Sequence, residues 1–207
     1  SLVVAATPHE AGKTTMLTAL LDFLPPEIEQ ISLRGWYERF EFLESEQDPE
    51  SVYLLNNEIS SHLPIYMWGR GVRKLFEAAH AGYAFGATVH ADNADGVLRL
   101  LHNYPLEVPE ALLTEIDLVV SLSYRRGSKK ELRRVMQLEV IERDEDRPSP
   151  RTIASRDVIS TELQSSPGLL INTLVRHFGM GRDESTDEFA RRVAFLDRLV
   201  QNRTFSL

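Results

Sequence analysis

The chain has 207 residues, no cysteine, a formal net charge of −8 at pH 7 and 43% hydrophobic residues. That length and apolar content suffice for one large α/β domain, or for a core domain with a small helical appendage. The absence of cysteine excludes disulfides and cysteine-based zinc sites and fits a reducing cytoplasm. The acidic balance argues against a general nucleic-acid grip, and no apolar run is long enough to span a bilayer.

Leu2 to Ala6 reads as an apolar strand on which the chain begins directly, as expected of a domain separated from an N-terminal partner domain. A short loop ends in Gly12-Lys13-Thr14, and a helix follows from about Thr14 to Leu24, stopped by Pro25-Pro26. Glu29 to Leu33 is a plausible strand, and Arg39-Phe-Glu-Phe-Leu43 alternates like an exposed one. Val52 to Leu55 is a buried-strand run ending in Asn56-Asn57-Glu58. Gly71 to Ala81 has helical spacing, Tyr83 to Val89 reads as a strand ending at His90-Ala-Asp92, and Ala94 to His102 and Glu110 to Glu115 are helical. Leu118 to Leu122 is another strand. Arg133 to Glu142 and about Thr152 to Val158 are expected to pair as a hairpin around the polar segment Asp144 to Pro150. Two helices close the chain, near Gly168 to Phe178 and Thr186 to Gln201, with a polar linker from Gly179 to Ser185.

Strand, tight loop, Gly-Lys-Thr and helix, in that order, make the phosphate-binding loop of a P-loop nucleotide-binding domain. A turn followed by a helix N-terminus aims backbone N–H groups and a partial positive charge at an anion. The residues that would bind nucleotide are Ala11, Gly12, Lys13, Thr14 and Thr15. Gly12 lets the backbone approach, Lys13 reaches β- and γ-phosphate oxygens, and the Thr14 hydroxyl can ligate Mg²⁺. Thr7 stands where the pattern usually opens with glycine, and Glu10 lies beside the phosphate path. The expected fold is α/β and RecA-like: a mostly parallel sheet with helices on both faces, a β-hairpin and a C-terminal helical appendage. Residues 1–160 form the core and 161–207 the helical subdomain.

In such sheets ligands bind at the carboxyl ends of strands. Glu58 and His90 both follow apolar strands and are the candidate catalytic residues, Glu58 for orienting Mg²⁺ or the attacking water. His9 either touches phosphate or faces solvent. His62, His80, His102 and His177 show no metal-ligand spacing. Trp36 and Trp68 read as packing or interface residues. Arg125 to Lys130 is a local basic patch.

Gly86-Ala-Thr-Val-His-Ala-Asp92, then Leu106-Glu-Val-Pro-Glu-Ala-Leu-Leu113 and Ile116-Asp-Leu-Val-Val120, resemble the secretion ATPases, the hexameric motors of type II and type IV secretion, type IV pili and archaeal flagella. The archaeal-type branch looks closest. The resemblance covers nearly the whole chain in family order: His90 falls in the family's His box, Val52 to Ile59 looks like its Walker B strand with Glu58 as the acid, and Asp187 to Val200 is similar to its C-terminal helix. It implies an ATP-binding motor domain that couples Mg-ATP hydrolysis to secretion or filament assembly. It also implies self-association into hexamers and docking at the cytoplasmic side of a membrane platform protein. The sequence departs from the family in three places. Asn57-Glu58-Ile59-Ser60 lacks the usual arginine, no acid stands near Leu33 to Trp36 where an acidic box is expected (Glu38 and Glu41 are the nearest substitutes), and Thr7 replaces glycine. These departures imply slow turnover, and leave open the alternative of a degenerate nucleotide-binding module with a regulatory or structural role.

Overall fold

The computed structural model describes residues 1–126, 131–145, 147–157 and 162–202, excluding the side chains of 177 and 178. The chain divides into two compact units, 1–163 and 164–207. The first holds seven strands, β1 (Leu2–Ala5), β2 (Glu29–Ser32), β3 (Val52–Ile59), β4 (Ala84–Val89), β5 (Leu118–Arg126), β6 (Glu131–Asp144) and β7 (Arg147–Ser155). Its helices are α1 (Lys13–Leu21), α2 (Arg70–His80), α3 (Ala94–His102) and α4 (Glu110–Leu113). The strands lie in the order β2-β3-β4-β1-β5-β6-β7. The first five run parallel, and β6 and β7 continue the sheet antiparallel. β1 is central because it is apolar on both faces: Val3, Val4 and Ala5 are fully buried.

The pleat sorts these side chains into two cores. Val3 and Ala5 join Val52, Leu54, Phe85, Ala87 and the apolar faces of α2, α3 and α4. Val4 and Ala6 join Tyr53, Val120, Leu122 and the α1 residues Leu17 and Leu21. Among the described residues of this unit, helices therefore cover both faces, α2, α3 and α4 on one and α1 on the other. α1 lies close to β4 because Gly86 has no side chain. A Cβ there would stand 2.8 Å from Leu17 Cδ1 and 3.1 Å from the ring of Tyr53, which is held by a hydrogen bond from its hydroxyl to Phe85 O.

Several boundaries differ from the sequence expectation. Residues 39–43 do not form a strand. Glu41–Glu44 is a 3₁₀ turn, and the alternation arises because Phe40 and Phe42 both plug the core, with Phe42 edge-on to Tyr83 at 5.1 Å. β3 runs four residues past Leu55, through Asn56 to Ile59. The β6–β7 hairpin is tight: Asp144 pairs with Arg147, so the segment expected as a loop is mostly strand, with Pro148 and Pro150 inside β7. The expected end of that strand at 158 lies outside the described residues, as do 127–130 of the basic patch.

The second unit contains a two-residue strand, β8 (Gln164–Ser165), and two helices, α5 (Pro167–Phe178) and α6 (Arg182–Gln201). Gly179, at φ 64°, ends α5. α6 starts at Arg182, before the expected Thr186, because Asp183 and Glu184 in its first turn complement the helix dipole. Among the described residues no helix is long and apolar enough to cross a membrane.

Gly86→Val would force branched carbon between Leu17 and Tyr53, and overpacking of this kind costs about 1–3 kcal/mol. Equilibrium urea unfolding is expected to show a loss of that size with an unchanged slope.

Candidate functional site

After β1 the chain bends away with Ala6 N–H still bonded to Val89 O at 3.2 Å. Gly12, at φ 89°, turns it into α1, whose first turn carries no acidic residue and no side-chain cap. The first amides of any helix lack intrahelical acceptors, so those of α1 are available to an anion. They open on a cavity of about 710 Å³ lined by residues 9–16 together with Ala19, Glu58, Leu122 and Arg133 to Val135. Glu10 holds a left-handed conformation at φ 66°. Arg133, reaching across from β6, donates from Nε to Glu10 O at 2.7 Å and lies over the Tyr124 ring. The backbone thus suits an anion, while the Glu10 carboxylate beside the cavity opposes one.

Glu58 reaches this loop because β3 is irregular. Asn56 pairs with Ala87 and Ile59 with Val89, so Asn57 and Glu58 together face Thr88. The buried Thr88 hydroxyl fixes the bulge by donating to Asn57 O at 2.6 Å. His90 follows the last residue of β4. The parallel register, Ala5 beside Val89 and Val89 beside Ile59, brings all three chain ends to one edge of the sheet.

The polar groups meet there. Lys13 Nζ lies 3.4 Å from His90 Nε2 and 3.8 Å from Glu58 Oε2, and His90 Nε2 lies 3.3 Å from Glu58 Oε1. Lys13 is only 8% exposed. Burial holds its ammonium below the ordinary lysine pKa, with the Glu58 charge pulling the other way. His90 Nδ1 stands 3.3 Å from Thr7 O, and the Thr7 hydroxyl donates to Asp92. The His9 ring packs 4.6 Å from that of His90.

Of the residues singled out in the sequence, Lys13, Glu58 and His90 come into direct contact. Ala11, Gly12, Thr14 and Thr15 line the adjoining cavity. Glu38 and Glu41 do not join them. Both oxygens of Glu38 accept from backbone amides, Arg34 N and Phe40 N, each at 2.8 Å, and Glu41 pairs with Arg39 in solvent. His80 pairs with Glu115, and His102 Nδ1 lies 3.2 Å from Val108 O. His62, which showed no ligand spacing, does join. The loop after β3 folds back through Met67 N to Glu58 O and Ser60 N to Met67 O, carrying His62 to within 6.2 Å of the His90 ring, centroid to centroid. Arg133 was missed as well. Its only sequence signal was a basic position on a strand expected to flank the core.

Asn56, two residues before Glu58, is fully buried, and neither polar atom of its side chain has a partner among the described residues. Such groups cost about 1–3 kcal/mol each, so Asn56→Leu is expected to raise the unfolding free energy by about that amount. Lys13 gives a pH test. Its pKa is lower folded than unfolded, so the unfolded chain holds that proton more tightly and the charge destabilises the fold below the folded pKa. The penalty fades as pH rises through the folded pKa toward the ordinary lysine value. Lys13→Met should therefore melt higher than wild type at pH 7, with the gap narrowing toward pH 10.5.

No protein-family model matches the chain. A curated relative, an uncharacterized protein of Methanocaldococcus jannaschii, is 23% identical over 228 residues, covering 97% of this chain and 82% of its own length. Among solved structures, the chain is similar to the VirB11 ATPase of the Brucella suis type IV secretion system, with 19% identity, 67% of this chain covered and a TM-score of 0.48. It is also similar to the Yersinia pseudotuberculosis ATPase DotB, with 15% identity, 66% covered and a TM-score of 0.47. The matches span 48% and 42% of those two chains, under half of each.

Proposed function

We propose that this chain is the ATP-binding, slowly hydrolysing motor domain of a secretion- or pilus-type ATPase. The observation that carries the reading is the meeting of Lys13, Glu58 and His90 within 3.3–3.8 Å at one edge of the sheet, beside a cavity roofed by the start of α1. In this reading the amides of Ala11, Gly12 and Thr15 bind phosphate oxygens and Lys13 balances their charge, which also relieves the burial of its ammonium. Thr14 holds Mg²⁺, which would supply further positive charge to the phosphates. Glu58 orients the attacking water, and His90 contacts the γ-phosphate. The motor would assemble as a hexamer and dock on the cytoplasmic side of a membrane platform protein, with its acidic surface meeting a basic partner.

One observation favours the second reading, a degenerate nucleotide-binding module with a regulatory or structural role. The carboxylate of Glu38 is committed to its own turn, so the segment after β2 brings the loop no acid from that position.

Mg-ATP binding and turnover, measured side by side, test both. Lys13→Ala should lose at least tenfold in affinity. Glu58→Gln should keep binding and cut turnover by about two to three orders of magnitude. Binding without turnover in wild type selects the degenerate module, and absence of Mg-ATP binding overturns both readings.

A further inference from the structure

The same edge of the sheet carries a second chemistry. Thr7 O can only accept, so at 3.3 Å His90 Nδ1 is the donor, and Nε2 is the ring atom left facing Glu58, where it can serve as a metal ligand. Nε2 and Glu58 Oε1 face each other at 3.3 Å, with the Lys13 ammonium beside both. A metal ion ligated by both atoms would take over the role of that ammonium. The distance is about that of an edge of a tetrahedron built on zinc–ligand bonds of about 2.0–2.1 Å.

His62 brings a third donor near this pair. Its Nδ1 lies 2.9 Å from Ser60 Oγ, and its backbone N–H donates to the same hydroxyl at 3.2 Å, which fixes the ring and leaves Nε2 for a ligand. One donor atom each from Glu58, His62 and His90 lie within 4.8 Å of one another. Thr7 O and Ser60 Oγ stand behind the two imidazoles, where orienting partners of metal-bound histidines are commonly found.

We infer that Glu58, His62 and His90 form a binding site for a nitrogen-preferring transition-metal dication of the Zn²⁺ type, distinct from the Mg²⁺ that Thr14 would hold. Two neutral imidazoles and one carboxylate suit Zn²⁺, with a fourth position open to water or a phosphate oxygen. Mg²⁺ prefers an all-oxygen shell. Lys13, 3.4 Å from His90 Nε2, opposes a second cation, so the site strengthens wherever an anion draws the ammonium aside. The inference shares Glu58 and His90 with the proposed nucleotide site but does not need nucleotide, so the two can fail separately.

The test is calorimetric titration of the full chain with Zn²⁺ in the absence of nucleotide, paired with the visible absorption of the Co²⁺-substituted protein. The expected result is one equivalent bound and a tetrahedral Co²⁺ spectrum, with affinity at least tenfold weaker in His62→Ala, in His62→Gln and in Glu58→Gln. His62 is exposed on a loop, so its variants should fold, and far-ultraviolet circular dichroism checks that they do. His80→Ala, whose imidazole pairs with Glu115 instead of joining this cluster, should bind as wild type does. Absence of stoichiometric Zn²⁺ binding overturns the inference, as does binding that survives both His62 variants.

Discussion

A lysine ammonium set into the edge of a sheet, only 8% exposed, constrains everything around it. Taking that charge out of water is costly unless acceptors replace the lost hydration. His90 Nε2 stands at 3.4 Å and the Glu58 carboxylate supplies opposing charge at 3.8 Å, each delivered by a different strand end. The Lys13 pKa is nonetheless held below its ordinary value, with burial the largest cause and the Glu58 charge acting against it. The attraction therefore does not fully offset the loss of water. Added negative charge beside it would lower the free energy of this lysine.

The sheet topology is what permits the cluster. The chain leaves β1 toward β2 on one side of the sheet and later crosses from β4 to β5 on the other, so the strand order switches direction at β1. Loops at such a point diverge and leave a crevice at the carboxyl ends. The crevice is sharpened by the β3 bulge, which Thr88 locks from the neighbouring strand. Without the extra residue Glu58 would follow the pleat, and its alternation with Asn56 and Ile59 would place it differently relative to Lys13. The buried Asn56, whose polar side-chain atoms have no partner among the described residues, stands immediately before the bulge.

What could be read from the sequence follows the range of the interactions. The strand from Leu2, the loop ending at Gly12 and the helix after it were legible because strand, turn and helix N-terminus are local patterns. Glu58 and His90 were legible because an apolar run ending in a polar residue marks a carboxyl end. The Phe40 and Phe42 pair was misread, since alternation records that two side chains point inward and not which backbone carries them there. His62 and Arg133 were invisible for a different reason. His62 arrives through a loop folded back onto β3, and Arg133 through a strand pairing that places β6 beside β5, next to the loop that follows β1. Neither relation leaves a spacing rule in the chain.

The histidine pair also changes how the acid at the end of β3 should be understood. A carboxylate that only orients water needs one face open to the cavity, and Glu58, a cavity-lining residue, has that. Its other contacts are an imidazole at 3.3 Å and a lysine at 3.8 Å. A phosphate that engaged Lys13 would draw the nearest cation away from Glu58, and the proposed metal ion held by Glu58, His90 and His62 would then supply the opposing charge. The three strand ends are thus coupled electrostatically as well as brought together in space.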